Sequence, residues 1–106
     1  MQMHEVRYFL AICEELNFTR AARRFGVTQA SLSNAISSLE RKLGGALFHR
    51  KPSIALTELE RVIRPYLDEI ARNADHAREA ARALVPRPIA SLPARQAAES
   101  SERPSN

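Results

Sequence analysis

Apolar residues recur along this chain in four stretches of helical spacing and one short stretch of another kind. Val6, Phe9, Leu10, Cys13 and Leu16 fall at steps of three and four, which predicts an amphipathic helix over about residues 3–16. A second helix is predicted after Asn17-Phe18, with Thr19 as its cap, carrying Ala21, Ala22 and Phe25 and stopping at Gly26. Gly26-Val27 then reads as a tight turn, because glycine enters the left-handed region without a steric penalty. The third helix is predicted from Gln29 with Thr28 as cap, its apolar arc formed by Leu32, Ile36, Leu39 and Leu43 and its end set by Gly44-Gly45. Between Leu47 and Leu56 the pattern changes. Leu47-Phe48 and Ile54 to Leu56 flank His49, Arg50, Lys51, Pro52 and Ser53, which predicts two very short strands forming a wing.

The fourth helix is the longest. Thr57 with Glu60 three residues later fits a capping box, in which hydroxyl and carboxylate satisfy each other's backbone donors. Leu59, Ile63, Tyr66, Ile70, Ala74, Ala77, Ala81 and Leu84 then alternate at spacings of three and four, a near-heptad stripe suited to pairing with another helix. Pro65 inside it removes one backbone hydrogen bond, so a kink is expected there. From Val85 onward four prolines and many polar residues follow without periodicity, which predicts a disordered tail over residues 85–106. The expected fold is therefore mainly all-α: a winged helix-turn-helix over residues 1–57, a linker helix over 58–84, and the tail. The helix-turn-helix motif itself covers about residues 19–38.

The third helix invites a functional reading because of the face opposite its apolar arc. Ala30, Ser33, Asn34, Ser37 and Arg41 lie there, with Thr28 and Gln29 at the N-terminal tip. A helix that only meets solvent more often carries Glu and Lys. Short Ser, Asn and Gln side chains let a helix sit deep in the major groove and hydrogen-bond base edges, and Ala can touch a thymine methyl.

Charge sharpens this picture. Residues 1–16 set Arg7 against Glu5, Glu14 and Glu15, and residues 52–106 balance eight arginines with eight acids. The block 17–51 holds Arg20, Arg23, Arg24, Arg41, Lys42, Arg50 and Lys51 against Glu40 alone, so the excess of +4 traces to it. A solvated surface would show the same composition, but the grouping of these cations around one polar helix face is what a phosphate footprint requires. Thr19 and Arg20 open the second helix, whose N-terminal amides can approach a phosphate, and Arg50 and Lys51 sit on the wing.

Other chemistries find little support. Cys13 has no second cysteine to pair with and lies on an apolar face, so it reads as a core thiol. His4, His49 and His76 are scattered without metal-ligand spacing, and no nucleophile elbow or glycine-rich phosphate loop occurs. Glu14-Glu15 is most simply a solvated acidic edge. No cofactor, catalytic or metal site is expected, so the chain is not read as an enzyme. No apolar run suggests a signal peptide or membrane span, and a cytoplasmic, nucleoid-associated protein is expected.

The residues that carry these elements also resemble the LysR-type transcriptional regulators. The resemblance runs through Val6-Arg7-Tyr8-Phe9, Asn17-Phe18-Thr19-Arg20-Ala21-Ala22, Val27-Thr28-Gln29 and Leu32-Ser33. It continues through Ile36, Leu39-Glu40 and Leu43-Gly44 to Leu47-Phe48-His49-Arg50 and Leu56-Thr57. It implies a winged helix-turn-helix binding double-stranded DNA, and a linker helix pairing antiparallel with its twin on an interrupted dyad. Carried over by position, Gln29, Ser33 and Asn34 would contact or approach bases, with Ala30 and Ser37 on the same face. Thr19, Arg20, Thr28, Ser31 and Arg50 would meet the backbone, to which the charge pattern adds Arg41 and Lys51, and the stripe from Leu59 to Leu84 would form the dimer.

This chain departs from the family pattern at Ala30, where proline is usual, and at Asn34, where arginine or a larger polar residue is common. Glu60 replaces a frequent glycine, and the wing is about one residue short. Family members usually continue into an effector-sensing domain. The expectation here is a chain with no inducer pocket, acting as a homodimeric regulator or, alternatively, pairing with full-length relatives as an antagonist.

Overall fold

The computed structural model describes residues 1–85, and the tail expected over 85–106 lies outside them but for Val85. Four helices and a two-stranded sheet follow one another: α1 (Met3–Glu15), α2 (Phe18–Phe25), α3 (Gln29–Leu43), β1 (Phe48–His49), β2 (Ala55–Leu56) and α4 (Glu58–Leu84). Every element predicted from the apolar pattern is present.

One core joins them. Phe9 and Ile12 of α1, Leu32, Ile36 and Leu39 of α3, and Leu47 before the wing are fully buried, with Ala21 and Ala22 of α2 packed among them. Burying each large apolar side chain contributes about 1.5–3 kcal/mol relative to leaving it in water. The small alanines let α2 come close to its neighbours.

The turns are set by left-handed residues. Gly26 at φ 65° closes α2, its N–H reaching the Ala22 and Arg23 carbonyls, and Gly44 at φ 86° closes α3. α1 ends instead on Leu16 at φ 50°, whose N–H donates to the Ile12 carbonyl at 2.7 Å. A leucine in that region costs about 1 kcal/mol, so the short link into α2 is bought with local strain.

The start of α2 differs from expectation. Its cap is Asn17, whose side-chain oxygen accepts from the Arg20 N–H at 2.8 Å, and Thr19 lies one residue inside the helix. The reason is packing: Phe18 must already be helical to turn its ring into the core, where it meets Phe48 edge-on at 5.9 Å. Thr28 does cap α3, accepting from the Ser31 N–H at 3.0 Å.

β1 and β2 pair antiparallel, Phe48 opposite Leu56 and His49 opposite Ala55. Two residues per strand make a weak ladder, so side chains hold the wing from below. Phe48 is buried, and the Leu47 N–H donates to a Glu40 carboxylate oxygen at 2.8 Å.

Only half of the capping box at α4 forms. The Thr57 hydroxyl accepts from the Glu60 N–H at 3.1 Å and donates to the Ala46 carbonyl at 2.8 Å. The Glu60 carboxylate does not return to the Thr57 N–H, which donates to the Leu47 carbonyl at 3.2 Å instead. Glu60 is fully buried, pairs with Arg64, and accepts from the Cys13 thiol at 3.4 Å.

The chain divides into two compact units, Met1–Asn73 and Ala74 onward. The first extends past residue 57 because Leu59, Ile63, Leu67 and Ala71 pack on the core along one side of α4. The predicted stripe therefore splits. Leu59 and Ile63 face inward, whereas Tyr66 and Ile70 are exposed and are joined by exposed Val62, which the stripe omitted. α4 passes through Pro65 with helical backbone on both sides. In the second unit Asp75 pairs with Arg78 and Glu79 with Arg82, while Ala77, Ala81 and Leu84 are exposed.

Candidate nucleic-acid interface

The middle of the outer face of α3 is composed of polar side chains without hydrogen-bond partners among the described residues. Asn34 is exposed, Ser33 and Ser37 are half-buried, and none of the three has a side-chain partner among the described residues. Ala30 and Ser31 lie exposed beside them at the N-terminal end, and Arg41 is exposed in the last turn. Thr28 uses its hydroxyl oxygen to cap the helix, which leaves its proton available outward. The face is held rigidly because its opposite side, Leu32, Ile36 and Leu39, is sealed in the core.

Tertiary structure brings three separate segments to one edge of this face. Thr19, Gln29, Ser33 and Arg50 line an open concavity of about 340 Å³, floored by Leu16, Asn17, Phe18 and Ile54. Within it the Thr19 hydroxyl donates to the Gln29 side-chain oxygen at 3.1 Å. Thr19 and Gln29 are ten positions apart, and the α2–α3 turn is what juxtaposes them.

Arg50 of the wing is carried over the Phe18 ring, its guanidinium carbon 4.9 Å from the ring centroid, and stands 3.7 Å from a Glu40 carboxylate oxygen. Stacking on a ring face leaves the edge of a guanidinium, where its N–H donors lie, open to other partners. Lys51 is exposed beyond it and has no ion-pair partner among the described residues.

The cationic block is less bare than its composition suggests. Arg20 is paired with Glu15 at 3.1 Å and also donates to the Glu15 carbonyl, while Arg24 meets Glu14 at 2.7 Å. The pair Glu14-Glu15, expected to be a solvated edge, clamps two arginines of α2. Lys42 folds back onto Glu5 at 3.0 Å. Arg23, Arg41 and Lys51 remain without ion pairs among the described residues. Exposed pairs of this kind contribute little stability, so their effect is mainly to fix where each guanidinium sits.

Glu5 is a different case. Burial opposes its charged form, but the Gln2 N–H and the Lys42 ammonium outweigh that and hold its carboxyl down at about 2. This ties the C-terminal end of α3 to the first turn of α1. Burial, followed by the hydrogen bond to Glu60, pushes the Cys13 thiol up to about 12, the position of an inert structural thiol.

Most of the residues expected at a DNA surface thus converge: Thr19, Thr28, Gln29, Ala30, Ser31, Ser33, Asn34, Ser37 and Arg50 lie on α3 or the edge beside it. The supporting residues Glu15, Phe18 and Glu40 were not picked out from sequence. No spacing rule reveals them, because each acts across elements that only the fold brings together. Among the described residues no cluster could hold a metal ion, and no helix is long and apolar enough to cross a membrane.

Comparison with known proteins agrees with this geometry. The family model for bacterial regulatory helix-turn-helix proteins of the lysR family matches residues 3–59. The chain is 41% identical over 85 residues to the transcriptional regulator IlvR of Caulobacter vibrioides, an alignment spanning 79% of this chain and 29% of that protein. It is 40% identical over 84 residues to the regulator ShiR of Corynebacterium glutamicum, covering 78% of this chain and 28% of ShiR. The aligned stretch thus spans less than a third of each of these relatives. Among solved structures it resembles the DNA-binding domain of BenM in complex with catB site 1 DNA. The TM-score is 0.74 at 29% identity, over 79% of this chain and 96% of that one. These relatives and neighbours are regulators, not enzymes.

Proposed function

The chain belongs to the lysR family of bacterial regulatory helix-turn-helix proteins, and on that premise we propose that it is a sequence-specific transcriptional regulator that binds duplex DNA as a homodimer. The observation that carries this reading is the outer face of α3. Its Ser33, Asn34 and Ser37 side chains have no partner within the described chain, on a helix whose other face is locked in the core. Unpartnered polar groups on a rigid helix are suited to the donor and acceptor pattern of the major groove. The DNA complex of the similar BenM domain supports the same use of this fold.

In this reading Gln29, Ala30, Ser33, Asn34 and Ser37 meet base edges. Arg20, Thr28, Ser31, Arg41, Arg50 and Lys51 meet phosphates, as do the Phe18 and Thr19 N–H groups in the first turn of α2, the Arg20 N–H being held by Asn17. α4 supplies the dimer contact through its exposed apolar residues, beginning with Val62, Tyr66 and Ile70. Two copies related by a two-fold axis then require a target with dyad symmetry.

Selection of bound duplexes from a random library tests these points together. Enrichment of an interrupted inverted repeat is expected, and affinity for it should fall linearly with salt on logarithmic axes. Recovery of no enriched sequence at low salt would overturn the reading.

A further inference from the structure

Thr19 was expected to meet the DNA backbone, but its geometry assigns it elsewhere. Its hydroxyl has one proton, and that proton is given to the Gln29 side-chain oxygen at 3.1 Å. Phosphate oxygens only accept hydrogen bonds, so the same proton cannot serve a phosphate while it holds Gln29. The hydroxyl sits on an α2 whose first turn is fixed by Asn17 and by buried Phe18, so the donor is rigidly placed. Gln29 is the first residue of α3, exposed, and otherwise free to rotate about three side-chain bonds.

We propose that Thr19 is a positioning residue for base recognition: it orients the Gln29 amide so that its –NH2 group is the edge presented to DNA. This rests on the DNA-binding reading above and adds a definite preference to it. The Gln29 nitrogen has no partner among the described residues and is the donor left to act outward. Adenine and guanine offer N7 as an acceptor in the major groove, guanine adds O6 and thymine O4, whereas cytosine offers only its N4 donor. A Gln29 held in this way therefore discriminates against cytosine on the strand it faces. An unrestrained glutamine would swap its donor and acceptor edges and tolerate all four bases more evenly.

The test uses the full chain and Thr19→Val, Thr19→Ser and Gln29→Ala variants. The probes are the duplex enriched by the wild-type protein and its versions carrying each base at the position where Gln29→Ala loses preference. Thr19→Val should reduce discrimination against cytosine at that one position about five-fold, the worth of one neutral hydrogen bond. Its affinity for random-sequence duplex and its salt slope should stay unchanged, and Thr19→Ser should restore the preference. If Thr19→Val instead weakens every duplex equally and lowers the salt slope, Thr19 is a phosphate contact and the proposal is overturned. An unchanged base preference in Thr19→Val overturns it as well. Failure of the wild-type chain to enrich any duplex defeats the DNA-binding reading itself, and this proposal with it.

Discussion

Helices α3 and α4 are both amphipathic, yet they dispose of their outer faces in opposite ways. α3 buries Leu32, Ile36 and Leu39 completely and leaves Ser33, Asn34 and Ser37 outside, without side-chain partners among the described residues. α4 pairs its outer charges with each other, Asp68 with Arg72, Glu58 with Arg61 and Glu79 with Arg82, and leaves apolar Val62, Tyr66 and Ile70 exposed. One helix has unspent hydrogen bonds and the other has unspent apolar surface. The first suits a polar groove and the second another apolar surface. Both are anchored to α1 through a buried glutamate, Glu5 for α3 and Glu60 for α4.

The contrast is tested most severely by removing volume from the sealed side of α3. Ile36→Ala is expected to cost about 2–5 kcal/mol in chemical denaturation, through lost burial and the cavity left behind. A loss under about 1 kcal/mol would mean that the inner face is not the anchor.

Next in size is the outer face of the same helix. Asn34→Ala should change stability by less than about 0.5 kcal/mol, since Asn34 is exposed and its side chain has no hydrogen-bond partner among the described residues. It should nevertheless weaken binding to the selected duplex by about 1–3 kcal/mol with little effect on random DNA. An equal loss on both kinds of DNA would place Asn34 outside base recognition.

For α4 the corresponding change is Tyr66→Glu, which puts a charge on its exposed apolar row. Sedimentation equilibrium should report self-association weakened by about tenfold or more, because desolvating an unpaired carboxylate opposes apolar contact. The unfolding midpoint of the monomer should barely move. A dimer that survives this change unaltered uses another surface.

The two anchors can be read by pH and reactivity. With its thiol pushed up to about 12, Cys13 should react with iodoacetamide at pH 8 about thirty-fold more slowly in the folded chain than in urea. For Glu5 the carboxyl is lowered from 4.5 to about 2 on folding, so its contribution is complete above the unfolded value and is lost as pH falls from 4.5 towards 2. The urea midpoint should therefore decline over that window, and Glu5→Gln should flatten the decline. An identical acid limb in both proteins would assign the loss to other carboxylates.

How much of this was legible beforehand can be seen residue by residue. The inward set of α3 and its polar outer set follow from a period of 3.6, a property of the helix itself. Gly26 and Gly44 mark helix ends because only a residue without Cβ adopts a positive φ at little cost. The cap of α2 was misplaced because Thr19 and Asn17 are both good capping residues. The choice falls to Phe18, whose ring has to reach Phe48 thirty positions later. The capping box at Thr57 half-formed for a similar reason, since Glu60 found Cys13 and Arg64 instead of its own helix end.

The amino-acid sequence by itself determined the order and type of the elements, the polar outer face of α3 and the concentration of positive charge around it. Those are consequences of local periodicity, backbone preference and composition. The tertiary structure alone decided that Thr19 holds Gln29, that Phe18 and Glu40 support Arg50, and that Glu14 and Glu15 clamp the arginines of α2. It also divided the α4 stripe between the domain's own core and an exposed row. Each of these depends on which surfaces meet across a turn, and hydrogen-bond partners chosen through space leave no periodic trace along the chain.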